Sequence, residues 1–137
     1  IEISPDRNEH EFTEKNELWK YQPNRCCHIN KVKTLEKIGK EHKVWLSGLK
    51  KNQSKLRSSI KIFENRENII KFHPLFAQSD ESIEQYLKYF NLLPHPLRSE
   101  GYNSIGCYHC TIKGEGRDGR WNGNNKTECG LHFDVNL

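Results

Sequence analysis

Apolar positions are sparse at the start of the chain. Ile1 and Ile3 flank Glu2 as at the end of a strand, and Ser4-Pro5-Asp6 breaks that pattern. Glu11 to Lys20 is weakly helical and is stopped by Pro23-Asn24, just before Cys26-Cys27. After the pair, Ile29, Val32, Leu35 and Ile38 recur every third residue, with Lys31, Lys33 and Lys37 between them. This spacing predicts an amphipathic helix ended by Gly39. Val44-Trp45-Leu46 predicts a short strand running into Ser47-Gly48. Ile60 to Phe63 and Ile69 to Phe72 predict two strands joined by a turn at Asn65. The clearest element follows. Ser79 supplies an N-cap, Asp80 and Glu81 supply first-turn acids, and Ile83, Tyr86, Leu87 and Phe90 fall on one helical face. Pro94 and Pro96 end it. From Leu97 to Leu137 the periodicity disappears, and seven glycines from Gly101 to Gly130 punctuate a polar stretch. A structureless stretch of that length is either functional or disordered.

The chain has 137 residues, the size of one domain, with no internal repeat and no clean linker. Only 34% of residues are hydrophobic, so the core should be thin and the loops long. The net charge of +4 is a mild excess, whereas nucleic-acid domains concentrate more positive charge on one face. No apolar run approaches the roughly 18–20 residues of a membrane span, and no signal-peptide pattern is present. The chain contains no Met and begins at Ile1, which reads as a processed chain or a fragment. Its five Cys are too few for a disulfide-built mini-protein and too many for casual core use. A thin polar core with five Cys points to a metal or cluster that supplies folding energy.

Cys107 and Cys110 form a C-x-x-C pair, whose spacing lets two sulfurs converge from a tight turn. With Cys26 and Cys27 they make four thiolates, the usual complement for zinc or an iron–sulfur cluster. Adjacent Cys side chains diverge, which suits the separate iron corners of a cluster better than one small ion. The predicted helix just beyond the pair adds a dipole that favours an anionic thiolate group. Three other readings stay open. Cys26 and Cys27 could be small buried hydrophobes, Cys107 and Cys110 a redox dithiol or disulfide, or the set a zinc site recruiting His28 or His109.

Cys129 is left over. Lys126 and His132 each lie three residues from it, and neighbouring cations raise the thiolate fraction of a thiol. It reads either as a nucleophile or as a stray Cys in a polar tail. Lys50, Lys51, Lys55 and Arg57 form one basic cluster, and Arg117 and Arg120 with Trp121 form another. Such runs are either solvated faces or anion sites, since guanidinium forks match sulfate and phosphate oxygens. The second cluster lies near Cys129, which favours an anionic substrate beside a thiol over a nucleic-acid track. His73-Pro74-Leu75 reads as a structural turn.

In this order the motifs resemble the assimilatory adenylylsulfate (APS) reductases, the iron–sulfur branch of the APS/PAPS reductase family. The resemblance runs from about Asn24 onward. It rests on Cys26-Cys27 with Lys31, Trp45-Leu46-Ser47-Gly48-Leu49, Gln53-Ser54, His73-Pro74-Leu75 and Gly101-Tyr102. It continues through Ser104-Ile105-Gly106-Cys107, Cys110, Gly119-Arg120-Trp121 and Lys126 to His132. It implies an α/β fold, the C-terminal part of an adenine-nucleotide alpha-hydrolase-like (Rossmann-like) fold with a loop-rich cluster-binding region and tail. The resemblance further implies a [4Fe-4S] cluster on Cys26, Cys27, Cys107 and Cys110. Cys129 would attack the sulfur of APS, release AMP and become an S-sulfocysteine, which thioredoxin resolves to free sulfite. Lys31, Lys50, Lys51, Arg117, Arg120 and His132 would bind substrate or lie near the cluster. A cytoplasmic setting and a homo-oligomer are further implications.

The chain also departs from the pattern. The Ser-Gly-Gly loop of the family's nucleotide-binding half is missing, so residues 1–137 read as a C-terminal portion. Lys50-Lys51-Asn52 stands where Arg-Arg-Asp is usual, and Lys lacks the bidentate fork. Asn30 stands before Lys31 where Arg is common. Two further readings remain: a reductase that takes the 3′-phosphorylated substrate PAPS, or a zinc-stabilised module for anionic partners such as nucleic acid.

Overall fold

A computed structural model describes residues 2–66 and 69–131. The chain divides into two compact units, one from Ile1–Glu41 with Tyr102–Leu137, the other from His42–Gly101.

In the first unit, α1 spans Arg7–Lys15. It starts earlier than the sequence suggests because Asp6 is a cap rather than a breaker. Its carboxylate accepts from the Asn8 and Glu9 amides and satisfies two of the free N–H groups of the first turn. Residues 2–6 form no strand; a strand exists only by pairing, and no described strand pairs with them. Glu17, at φ 47°, takes a left-handed conformation and separates α1 from the single turn α2, Leu18–Tyr21. Next, α3 spans Pro23–Cys27, a π-helical turn spans His28–Val32, and α4 spans Lys33–Gly39. Pro23 therefore begins a helix rather than ending one, since its fixed φ and missing N–H suit the first helical position. The Cys pair lies inside the helix, and the Cys26 amide already donates to the Gln22 carbonyl at 3.0 Å.

From Tyr102 onward the first unit is irregular, as the lost periodicity predicts. A 3-10 turn spans Tyr108–Cys110, and single bridges join Tyr102 to Gly114 and Thr111 to Arg120. Gly119 is required by close approach: a Cβ there would lie 2.2 Å from the Ile112 carbonyl oxygen. The buried apolar residues described in this unit are Leu18, Cys27, Cys110 and Trp121.

The second unit is a three-stranded sheet with one helix. β1 is Val44–Leu46, β2 is Phe63–Arg66 and β3 is Ile69–Phe72, in the order β1-β3-β2. β1 runs parallel to β3 and β2 antiparallel to it. β2 is shifted from its expected place because Ile60 closes a 3-10 turn, its amide donating to the Arg57 carbonyl. Asn65 is therefore a strand residue, not a turn. Helix α5 spans Asp80–Tyr89, capped by Ser79 as expected.

The register places Val44, Leu46, Phe63, Ile70 and Phe72 on one face of the sheet. Of these, all but Phe72 are exposed. The other face buries charge. Lys71 lies 4.4 Å from the Trp45 ring, and His73, fully buried, shares a 2.8 Å hydrogen bond with Glu64. Leu49 is the buried apolar residue described in this unit. The architecture is mixed α/β with a small sheet. Among the described residues no helix is long and apolar enough to cross a membrane.

Candidate active site

The five cysteines are all free, and all belong to the first unit. Helix α3 and the π turn present Cys26, Cys27 and Lys31 along one stretch of backbone. Asn30 secures it by donating to the Cys26 carbonyl at 3.0 Å, to Cys26 Sγ at 3.5 Å and to Thr13 Oγ1 at 2.9 Å. The C-x-x-C turn is held by its own hydrogen bonds. The Cys110 amide donates to the Cys107 carbonyl at 3.0 Å, and the Thr111 hydroxyl donates to the same carbonyl at 2.9 Å. His109, between the two sulfurs in sequence, stacks on Trp19 at 4.5 Å and meets Glu14 at 2.9 Å.

Lys31 is the hub. Its Nζ donates to Cys129 Sγ at 3.6 Å and also bonds Cys107. Burial works against its charge. The bond to Cys107 and the thiolates of Cys129, Cys107 and Cys27 outweigh that and hold it above the usual lysine range. Burial pushes the Cys26 and Cys110 thiols up, and Cys107 lies close enough to both to add repulsion. Cys129 goes the other way. A hydrogen bond from the Cys27 thiol, aided by the Leu131 amide and Lys31, overcomes burial and brings it down to about 5. That same bond and burial push Cys27 up.

The cation at Cys129 is therefore Lys31, not its sequence neighbour Lys126. Lys126 instead donates to Asn24 and lies 5.7 Å from the Trp121 ring. Trp121 is buried and sits at φ 48°, a left-handed conformation that costs about 1–3 kcal/mol in a residue with a Cβ. Its amide donates to the Cys110 carbonyl at 3.1 Å. Arg120 stacks on the ring at 4.3 Å and Arg117 lies at 5.9 Å. Gly106 leaves room for the Arg120 guanidinium, since a Cβ there would lie 2.1 Å from its Nη2. Arg120 Nε is buried without a hydrogen-bond partner among the described residues.

Arg117, expected to bind substrate, is engaged inside the unit. Its Nη2 donates to the Thr127 carbonyl at 2.9 Å and to Glu128 Oε2 at 3.1 Å. Lys50 and Lys51 belong to the second unit, where Lys50 is buried in an ion pair with Asp80 and Lys51 is exposed. His132 lies outside the described residues. The sequence reading gave no role to Glu128, Asn30, Asn24, Trp19 or Glu14. Glu128 is signalled by its adjacency to Cys129 and Asn30 by its place before Lys31.

Among the described residues no three His, Cys, Asp or Glu side chains converge closely enough to hold one metal ion. The donor set is four free thiols beside a half-buried ammonium. Four thiolates give a zinc ion or an iron–sulfur core the same net negative charge, and the Lys31 ammonium would attract either. The four thiols are the donor set that either group takes, so a cluster fits the residues present.

The sequence profile of the phosphoadenosine phosphosulfate reductase domain matches residues 2–113. The chain belongs to this family. It is 38% identical over 130 residues to an adenosine 5'-phosphosulfate reductase of Rhodococcus opacus (strain B4), covering 90% of this chain and 53% of that protein. A Bacillus cereus (strain Q1) protein of the same name is 41% identical over 124 residues, covering 86% of this chain and 53% of the relative. Among solved structures, the phosphoadenylyl-sulfate (PAPS) reductase of Candida auris, in a phosphate complex, is similar at TM-score 0.60 and 26% identity. That likeness covers 74% of this chain and 51% of the solved one. The chain thus spans about half the length of the curated relatives it matches.

Proposed function

We propose that this chain is the C-terminal portion of a thioredoxin-dependent APS reductase, whose complete domain is Rossmann-like. The observation that carries this reading is the placement of Cys129 Sγ 3.6 Å from the Lys31 ammonium. A thiolate so stabilised is a ready nucleophile.

In the proposed reaction, Cys129 Sγ attacks the sulfur of adenylylsulfate. An S–S bond forms, the S–O bond to phosphate breaks, and AMP leaves with the electron pair. A thiolate of thioredoxin then attacks Cys129 Sγ and expels sulfite. The second thioredoxin thiol resolves the mixed disulfide and returns Cys129 as thiolate. The two electrons thus come from thiols. Lys31 would stabilise charge on the sulfate oxygens, which its contact with Cys129 supports, and Arg120 would supply a second cation.

Cys26, Cys27, Cys107 and Cys110 would hold a [4Fe-4S] cluster, which supplies folding energy and a fixed charge beside the substrate. Ligation removes the Cys27 proton, so its hydrogen bond to Cys129 is lost. Lys31 and the Leu131 amide are then the groups that keep Cys129 ionised.

A second reading, with PAPS as substrate, is favoured by the name of the Candida auris neighbour. The mechanism would be the same, and rates with the two nucleotides separate the readings.

The test begins with anaerobic purification. About four iron and four sulfide per chain are expected. Each of Cys26→Ala, Cys27→Ala, Cys107→Ala and Cys110→Ala should lose them, and Cys129→Ser should keep them. Incubation of the full-length protein with adenylylsulfate should add a sulfonate to Cys129, and thioredoxin should remove it. A chain that carries zinc without sulfide, or an adduct on another residue, would sink the reading.

A further inference from the structure

One guanidinium holds the two residues that precede Cys129. Arg117 Nη2 donates to the Thr127 carbonyl at 2.9 Å and to the Glu128 carboxylate at 3.1 Å. Glu128 is only 4% exposed, and a carboxylate that deep is retained when it is paired. Arg117 in turn faces the buried Trp121 ring at 5.9 Å. The Trp121 amide is fixed to the Cys110 carbonyl at 3.1 Å. A continuous line of contacts therefore runs from the C-x-x-C turn through Trp121, Arg117 and Glu128 to Cys129.

We infer that Glu128 and Arg117 form a positioning pair that sets the place of Cys129 relative to Lys31. The inference rests on the reading of Cys129 as nucleophile. Neither residue needs to touch substrate. Both would act by keeping the Sγ within 3.6 Å of the Lys31 amine. Without the pair, Thr127 to Cys129 loses one of its side-chain anchors, and the sulfur spends less time in that contact.

The test measures this distance in the purified chain and involves no substrate. Succinimidyl iodoacetate joins an amine to a thiol through a two-carbon bridge. Among molecules modified at Cys129, the fraction also linked to Lys31 is read by peptide mass spectrometry. This ratio is independent of how accessible the thiol is. Arg117→Met and Glu128→Ala should each lower it about tenfold, the scale set by misplacement of a reacting group. The double variant should lower it by less than the two single losses combined, because the two residues share a contact. Rescue separates positioning from general damage. The reversed pair, Arg117→Glu with Glu128→Arg, should recover most of the linked fraction. If that variant fails to fold, Arg117→Lys should still retain more than Arg117→Met. An unchanged fraction in the single variants, additive losses in the double, or equal loss in Arg117→Lys and Arg117→Met would each overturn the inference. A failure of the reductase reading would show instead as a missing sulfonate adduct, with the linked fraction intact.

Discussion

Gly119→Ala should be the most damaging of the glycine substitutions that leave the cysteines untouched. The added Cβ would lie 2.2 Å from the Ile112 carbonyl oxygen and 3.2 Å from its carbon. The first distance falls more than about 1 Å short of ordinary contact. The obstacle is backbone, so no side-chain rotation relieves it. Opening the gap breaks the 2.8 Å bond from the Ile112 amide to the Gly119 carbonyl. Overpacking costs about 1–3 kcal/mol and the lost hydrogen bond about 1 kcal/mol, giving about 2–4 kcal/mol. For a chain of this size that is a fall in Tm of roughly 6–20 °C. Gly116→Ala is the comparison. It sits at φ 52° with nothing within 4 Å, so only left-handed strain of about 1–2 kcal/mol applies. Gly39→Ala, in a helix with nothing within 4 Å, should be neutral or stabilising by up to about 1 kcal/mol. Thermal unfolding followed by circular dichroism reads all three. The reasoning fails if Gly119→Ala melts no lower than Gly116→Ala.

Three more predictions follow from single contacts. Asp6→Ala removes the cap of α1 and should cost about 1 kcal/mol in chemical denaturation, where an unchanged midpoint would argue that the helix is held by packing alone. Asp80 is held below the usual carboxylate range by Lys50, and Glu81 by the backbone at the start of α5. Depressed carboxylates stabilise the fold above their unfolded pKa of about 4, and this contribution is lost as pH falls through the lower folded values. Asp80→Asn should therefore reduce the denaturation midpoint at pH 6 and match the parent near pH 2, and a gap that persists in acid would count against the pairing. Trp19→Ala removes the ring stacked on His109 at 4.5 Å and should cost about 0.5–1.5 kcal/mol beyond lost area, a figure that a double-mutant cycle with His109→Ala isolates.

Local signals carried part of this structure. β1, β3 and α5 stand where alternation and the Ser79 cap place them, because each signal lies within a few residues of its effect. The five thiols were visible as a pattern, since spacing alone brings a C-x-x-C pair together. The remaining errors share a cause. Asp6 and Pro23 are breakers in one context and helix starters in another, and the choice depends on where the backbone goes next. Lys126 is near Cys129 in sequence, yet Lys31 reaches it across 98 positions. The pairing of Arg117 with Glu128 likewise cannot be seen in a linear reading. Side chains that meet across long separations leave no periodicity to read.

The π turn at His28–Val32 has a consequence for the length of the chain. Such a turn holds one residue more than an α turn, so it shifts the phase of everything beyond it by about 100°. Upstream lie Cys26 and Cys27; downstream lie Leu35 and Ile38. Deleting one residue here would let the backbone relax into an unbroken α-helix with every hydrogen bond made. The thiols and the apolar side chains would then point in directions that no longer agree. The segment is thus one of fixed count. Substitutions within it are tolerable where the side chains allow, but a one-residue indel would spare the helix and misalign the chemistry it carries.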